Sequence, residues 1–309
     1  MDLLVNRIKL EELSSSFVLQ TNLWAKVKST WLPFAFELKF STRRFTLLVL
    51  VRKLALNMHI AYIPFGFDES ITSDEIVLVA KKIKKHLPNN TIMLKLDLPY
   101  GVNIKDRRFK LNRNCIQPKS SVLIALPDEF ELKKRVKRIN KDSKIIVKNV
   151  EKTKENIALW YELYSSTASR KGFFTRSFNY FNSLLNIPDN NIILYFAFND
   201  DLLVGSIINI RSKDEEIYLF GASIEGSNSG YALQQYAINK AIEDGLKHYD
   251  LYGIGDEEHP ELKTLNLFKQ SFGGQIVTRI GTLDYYYNFI GKLFNFADYL
   301  RYLFYKHKL

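Results

Sequence analysis

The chain has 309 residues and a formal net charge of +11, and 46% of its residues are hydrophobic. This composition excludes an intrinsically disordered protein, and the length is sufficient for two domains. The single cysteine, Cys115, excludes an internal disulfide framework, and with only five histidines a zinc site built on Cys and His is not expected. The positive charge predicts an anionic partner, which could be tRNA, a nucleotide-linked substrate or a lipid headgroup.

The beginning of the chain lacks the basic-then-apolar pattern of a secretory signal, and no apolar run approaches about twenty residues. The apolar run at residues 45–50 stops at Arg52 and Lys53, and we interpret it as a buried strand. We therefore expect a cytoplasmic protein.

The N-terminal part alternates between helix and strand patterns. Thr21 or Asn22 can cap a short helix that buries Trp24 and places Lys28 beside it. Apolar runs predict strands at residues 34–40, 46–51, 58–63, 92–99 and 118–126, and apolar spacing predicts a surface helix over residues 75–87. These elements form a mixed α/β half, which we assign to a first domain at residues 1–127.

The second half begins with the strongest positive run, residues 128–144, on a predicted helix. Such a run is usually a solvated face, and the alternative is a surface that binds phosphates. Helices at residues 155–170 and 231–245 and strands at residues 192–198, 202–211, 216–222 and 249–252 follow. They predict a second sheet flanked by helices, which we assign to residues 128–284.

The tail, residues 285–309, carries apolar residues near helical spacing together with several basic residues. It predicts a C-terminal amphipathic helix. Such a helix packs on the first domain or contacts a membrane surface.

One short stretch near the C-terminus combines a lysine with aromatic residues and a Gly-Gly turn. A helix over residues 262–271 would place Phe268 and Phe272 one turn apart on its buried face. Lys269 would then point along a different edge, where a fixed positive charge could stabilise an anion or a developing oxyanion. The alternative is an ordinary amphipathic helix with a glycine cap and a solvated lysine.

Several short segments agree in order and spacing with one known family. They are residues 24–28, 62–66, 95–97, 137–138, 170–173, 230–234, 249–254, 268–269 and 272–274. Through them the chain resembles the Fem-type (FemABX) aminoacyltransferases that build peptidoglycan interpeptide bridges, in the short form without a coiled-coil arm.

The resemblance implies an α/β (α+β) fold with two tandem GNAT-like (acyl-CoA N-acyltransferase-like) domains, mixed sheets flanked by helices, and a cleft for the precursor. It implies that an amino acid passes from aminoacyl-tRNA to a stem-peptide side-chain amine of a peptidoglycan precursor, either lipid II or a UDP-linked muropeptide. No cofactor is expected beyond the aminoacyl-tRNA co-substrate, and we expect a monomer.

The same resemblance assigns catalytic positions. Lys269, beside Phe268, stabilises the transition state or the tRNA terminus. Asp97 lies where a carboxylate could serve as a base or orient the amine, although an aspartate at a strand end often only caps a turn.

Substrate-binding positions also follow from the resemblance. Lys28 and Tyr249 match positions that hold the phosphates and the sugar–peptide part of the precursor. Tyr218 and Tyr231 are candidate cleft aromatics, with packing in the core as the alternative. Shorter members of the family carry an arginine just before the strand that we predict at residues 216–222. This chain has residues 212–216 there instead, so Arg211 or Lys213 would have to supply the phosphate contact.

Two other classes remain open. An acyl-CoA-dependent N-acyltransferase would need a basic, glycine-spaced loop at a helix N-terminus, whereas residues 224–230 include Glu225 and lack a basic residue. A non-enzymatic nucleic-acid-binding protein would explain the charge, but the chain shows neither a zinc finger nor an aromatic RNA-binding signature.

Overall fold

The computed structural model describes residues 2–68, 70–112, 115–256 and 260–306. The chain divides into two compact units, one formed by Met1–Lys119 with Val277–Leu309 and the other by Ser120–Ile276. The predicted domain boundaries were at residues 127 and 284. Both lie earlier in the structure, because the strand that begins at Ser120 joins the second sheet and the strand that begins at Thr282 joins the first.

Strands and helices both occur along the whole length of the described residues. The strands are β1 (Leu3–Ile8), β2 (Leu32–Phe40), β3 (Arg44–Lys53), β4 (His59–Ile63), β5 (Thr91–Asp97), β6 (Lys110–Asn112), β7 (Ser120–Ala125), β8 (Ile145–Val150), β9 (Ile192–Asn199), β10 (Leu202–Arg211), β11 (Glu215–Ser223), β12 (His248–Asp250), β13 (Gln275–Thr278) and β14 (Thr282–Tyr286). The α-helices are α1 (Asn22–Val27), α2 (Ser73–Ile83), α3 (Lys134–Lys141), α4 (Lys154–Lys171), α5 (Phe178–Leu185), α6 (Ser229–Glu243), α7 (Asn266–Lys269) and α8 (Phe289–Lys306).

The first unit is built on a sheet with the strand order β1-β2-β3-β4-β5-β14-β6. Strands β4 and β5 are parallel, and the other neighbours are antiparallel. Strand β5 is buried over its whole length, as expected for a central strand with both faces covered. Helix α2 starts at the capping box of Thr72 and Glu75 and packs its apolar face into the core.

The C-terminal segment completes the first unit. Strand β14 inserts between β5 and β6, with Leu283 opposite Leu96 and Leu111. Helix α8 then packs on this sheet, and a Cβ at Gly291 would overlap the carbonyl oxygen of Ile92, so glycine permits the close approach. None of the described helices is long and apolar enough to cross a membrane.

The second unit is built on a sheet with the strand order β13-β7-β12-β11-β10-β9-β8. Strands β11 and β12 are parallel, and helices α6 and α4 pack against β10 and β11. Trp160, Tyr164 and Phe181 form a ring cluster in which Tyr164 and Phe181 meet Phe220 of β11. Two mixed sheets flanked by helices confirm the predicted α/β (α+β) fold.

Several elements differ from the prediction. Helix α3 is shorter than the basic helix predicted within residues 128–144. The first residues of the predicted C-terminal helix, from residue 285, instead complete β14, and α8 starts at Phe289. Strands β1, β6, β8, β13 and β14 and helix α5 were not predicted. The last three residues of the predicted C-terminal helix, 307–309, lie outside the described residues.

Candidate functional site

The candidate site lies where two parallel strands of the second unit stop pairing. Strands β11 and β12 pair only from Glu215 opposite His248 to Ile217 opposite Asp250. The chain after β12 instead stays beside β7, because the amide of Leu251 donates to the Val122 carbonyl oxygen. Beyond Ile217, β11 therefore diverges from residues 251–254. We refer to the space between them as the strand gap.

The side chain of Lys269 occupies the strand gap. Its Nζ donates hydrogen bonds to the carbonyl oxygens of Tyr252 and Gly253 and lies 5.4 Å from the centroid of the Tyr218 ring. The residue is only 4% exposed. Because the two strands no longer bond to each other here, the lysine supplies the donors that a neighbouring strand would otherwise provide to these buried carbonyl groups.

Burial changes the protonation of this lysine. Removal of the ammonium group from water lowers the pKa of Lys269 to about 7, and the charge of Asp250 opposes that shift. Asp250 is itself buried and accepts hydrogen bonds from the Ser121 hydroxyl and the Tyr252 amide. An amine with a pKa near neutrality can both donate and accept a proton at physiological pH.

The backbone around the lysine is a chain of short helical turns. The predicted single helix over residues 262–271 is wrong, because the structure has a 3-10 helix at Pro260–Leu265, then α7, then a 3-10 helix at Gln270–Phe272. The Asn266 side chain exchanges two hydrogen bonds with the Gly255 backbone, at 2.7 and 2.9 Å. This pair of hydrogen bonds anchors α7 to the segment that carries the carbonyl groups bound by Lys269.

Two aromatic rings pack against Phe268 of α7, one from α6 and one from the turn that follows α7. The Phe268 ring lies 5.2 Å from the Tyr231 ring and 5.3 Å from the Phe272 ring, measured between centroids. The predicted proximity of Phe268 and Phe272 is thereby confirmed. A Cβ at Gly230 would lie 3.2 Å from the Phe268 ring, so the glycine leaves room for it.

A glycine also fixes the end of this segment. Gly273 has φ +86°, and a Cβ there would overlap the carbonyl oxygen of Glu129. The Phe130–Gly273 bridge and the hydrogen bond from the Glu131 amide to the Phe272 carbonyl oxygen hold this turn. A residue with a side chain could not make this approach without shifting the backbone.

The structure places Tyr249 and Arg211 elsewhere in the second unit. The Tyr249 hydroxyl is buried, donates to Gln234 and accepts from Asn209, and burial raises the pKa of Tyr249 well above its ordinary value. Arg211 is paired with Glu216 and Asp244. The structure gives both residues internal partners, and their contact with the substrate stays a prediction.

Asp97 is an internal residue of the first unit. It is fully buried, and its carboxylate accepts hydrogen bonds from the Tyr62 and Thr282 hydroxyl groups while it pairs with Arg279. Both carboxylate oxygens are engaged, so this geometry favours a structural role over the predicted base.

Lys28 is also a residue of the first unit. It is half-buried at the end of α1, and its Nζ lies 4.7 Å from the centroid of the Trp24 ring. This cation–π contact matches the predicted proximity of the two side chains.

The structure therefore brings together Lys269, Phe268, Tyr218 and Tyr231 among the predicted site residues. Tyr218 is half-buried, and burial raises the pKa of its hydroxyl to about 12. The carbonyl groups of Tyr252 and Gly253 were not predicted as part of the site, although both residues lie within segment 249–254, one of those that carry the resemblance. A positive φ at both residues turns the chain there.

Positive residues of α3 border two cavities in the same unit. A cavity of about 470 Å³ is lined by Lys137 and Lys141 together with residues of β8 and α6. A second cavity of about 490 Å³ is lined by Arg138, Lys144 and Asn228, the last of which caps α6. These four basic side chains are exposed, so both cavities are open depressions bordered by solvated positive charges.

Known proteins share both a sequence pattern and a fold with this chain. Residues 194–299 match the model of the FemAB family. No curated protein matches the chain in sequence. The crystal structure of FemX has 18% identity and a TM-score of 0.74, with 93% of this chain and 98% of FemX covered.

Two further solved structures share the fold. A C-terminal domain described as belonging to a putative lysylphosphatidylglycerol synthetase from Agrobacterium fabrum has 13% identity and a TM-score of 0.52, with 80% of this chain and 82% of that chain covered. A conserved protein of unknown function from Bacteroides thetaiotaomicron VPI-5482 has 11% identity and a TM-score of 0.56, with 88% of this chain and 91% of that chain covered. The FemAB match over residues 194–299 and the fold shared with FemX confirm the predicted Fem-type resemblance.

Proposed function

We propose that this chain is a Fem-type aminoacyltransferase that adds an amino acid to a stem-peptide side-chain amine of a peptidoglycan precursor, in cell-wall synthesis. The observation that carries the proposal is the buried Lys269 in the strand gap, with a pKa of about 7 and the Tyr218 ring beside it. The FemAB match, residues 194–299, spans both of these residues.

The donor in this proposal is aminoacyl-tRNA. Its ester is already activated, so a neutral acceptor amine can attack the carbonyl carbon directly. A C–N bond forms, the C–O bond to the tRNA ribose breaks, and the proton lost by the amine is delivered to the released ribose hydroxyl. The reaction needs a positioned amine and stabilisation of the tetrahedral oxyanion, and it needs no enzyme-bound acyl intermediate.

Lys269 is the residue to which we assign the charge stabilisation. A protonated lysine has three N–H donors, and two of them are directed at the Tyr252 and Gly253 carbonyl oxygens. The third can be directed at an oxyanion that enters the strand gap. Removal of a comparable donor costs about 100- to 1,000-fold in turnover in other acyl-transfer enzymes. The pKa near neutrality also allows this amine to pass a proton between the acceptor and the leaving group.

The distribution of charge supports tRNA as the donor. The net charge is +11, and four of the basic side chains, Lys137, Arg138, Lys141 and Lys144, line the two cavities beside α6. Phosphate groups at the acceptor end of a tRNA could form ion pairs with these four side chains. We therefore expect the KM for charged tRNA to rise with salt concentration.

Purified protein incubated with a set of charged tRNAs and with lipid-linked or UDP-linked muropeptides tests the proposal. Mass spectrometry should show one added amino acid on the stem peptide. We expect Lys269→Met to reduce turnover by about 100-fold or more. Lys263→Met, in the exposed part of the preceding 3-10 helix, is the matched control and should retain activity.

Two outcomes would overturn the proposal. Tight binding of acetyl-CoA in calorimetry, with acetyl transfer and no use of charged tRNA, would identify an acyl-CoA-dependent N-acyltransferase. Binding of uncharged bulk RNA as tightly as charged tRNA, with no product from any precursor, would identify a nucleic-acid-binding protein.

A further inference from the structure

Helix α8 has large apolar side chains on two faces. Its inner face packs on the first sheet, where Gly291 is buried and Phe294 packs against a small cluster of buried residues. Its outer face is in solvent and is formed by Phe289 (68% exposed), Ile290 (49%), Leu293 (53%), Phe296 (62%) and Leu300 (50%). Lys292 is the single charged residue among the exposed side chains of residues 289–300.

This outer face is not that of an ordinary surface helix. A helix that packs on a protein through one stripe normally carries polar residues on the opposite side. Here the five large apolar residues follow one another at helical spacing and form a continuous stripe. Contiguous apolar surface of this kind marks an interaction site with a protein or a membrane.

A second exposed apolar residue, Leu56, lies in a turn whose flanking residues pack on the same buried cluster as α8. Leu54 and Met58 pack against the same buried cluster as Phe294 of α8. The turn between them, which joins β3 to β4, exposes 89% of Leu56 at its tip. Leu56 and the outer face of α8 are therefore exposed apolar parts of two elements that share one buried cluster.

Basic residues lie on the same two elements. Lys292 is exposed on the outer side of α8 itself. On the side of the turn, Arg52 lies 5.9 Å from the Trp31 ring, which packs against the same cluster as Phe294. The acidic residue of α8, Asp298, is half-buried.

We propose that the outer face of α8 and Leu56 dock the protein on an anionic lipid bilayer. The apolar side chains would enter the boundary between headgroups and acyl chains, while Lys292 and Arg52 would contact anionic headgroups. A second copy of the chain fits this surface less well, because each copy carries a net charge of +11 and would repel the other. The proposal does not depend on the transfer reaction.

Sedimentation with vesicles tests the proposal. The full-length protein should bind vesicles of mixed phosphatidylglycerol and phosphatidylcholine much more tightly than vesicles of phosphatidylcholine alone. We expect Phe296→Ser and Leu293→Ser each to weaken binding about tenfold, because each removes one large apolar side chain from the bilayer boundary. Lys292→Gln should weaken binding to anionic vesicles about fivefold, and added salt should reduce that effect.

Phe174→Ser is the matched control, since Phe174 is 86% exposed and belongs to the other unit. It should bind vesicles as the wild type does. Sedimentation velocity without lipid measures self-association, and circular dichroism confirms that each variant is folded. Equal vesicle binding by wild type, Phe296→Ser and Leu293→Ser would overturn the proposal. So would wild-type dimers that Phe296→Ser converts to monomers.

Discussion

The burial of the Lys269 amine predicts how the free energy of unfolding depends on pH. Replacement by methionine removes the ammonium group from the strand gap and retains a side chain of similar length. Burial lowers the pKa of this lysine from an ordinary 10.5 to about 7. That difference corresponds to a penalty of about 5 kcal/mol on the charged form in the folded state, as an upper estimate.

The sign of the pH dependence follows from proton binding. Below about pH 7 the amine is charged in the folded and the unfolded chain, so the folded protein carries the full penalty. Between pH 7 and pH 10.5 the unfolded chain keeps a proton that the folded chain has released, so the free energy of unfolding rises with pH. The rise is at most about 1.4 kcal/mol per pH unit, and the methionine variant lacks it.

Urea unfolding of wild type and Lys269→Met at a series of pH values measures this difference. The free energy of unfolding of the wild type, minus that of the variant, should be constant in mild acid and should increase steadily above neutrality. Lys263→Met corrects for the loss of one positive charge on the same segment. A difference that stays constant from mild acid to about pH 10 would show that the ammonium group is hydrated, and the reasoning about the strand gap would be refuted.

Three further predictions concern the supports of the fold and the site. Asp97→Asn should lower the free energy of unfolding in urea by about 3–5 kcal/mol, because it leaves buried Arg279 without its charge partner. If the variant is as stable as wild type but inactive in transfer, Asp97 acts as the predicted base. Gly273→Ala should lower the free energy of unfolding by more than about 3 kcal/mol, because backbone strain and the overlap with Glu129 combine. Gly226→Ala is the control, since Gly226 has a positive φ but no atom within 4 Å of the added Cβ, and it should cost about 1–2 kcal/mol. Equal shifts of the thermal midpoint in the two variants would contradict the overlap at Glu129. Phe268→Ala should cost about 2 kcal/mol and reduce turnover as well, because its ring braces α7 against Tyr231; unchanged stability in urea would exclude that bracing.

Elements with local signals were predictable from the sequence. Helix α2 has its capping box, Thr72 and Glu75, and a clear apolar face, and β9, β10 and β11 have continuous apolar runs. Strand β14 has no such signal, because Asp284 in its middle is a buried charge that pairs with Lys95 at 3.1 Å. Such a strand can be recognised only once its partner strand is known.

The part of the candidate site that is formed by neighbours in sequence was predictable, and the contacts between distant elements were not. Lys269 and the ring pair of Phe268 and Phe272 are neighbours in sequence, and their grouping followed from helical spacing. The hydrogen bonds of Tyr249 and the ion pairs of Arg211 join separate strands and α6, so no pattern in the sequence indicated that these residues already have internal partners.

The chain order of the first unit affects its synthesis. Strand β14 lies between β5 and β6, although the whole second unit is translated between β5 and β14. The N-terminal segment therefore leaves the ribosome with one edge of β5 unpaired, while Ser120–Ile276 can complete its own sheet. A released chain that ends at Ile276 should hold a folded second unit, whereas its first 119 residues should become resistant to protease only when β14 is present.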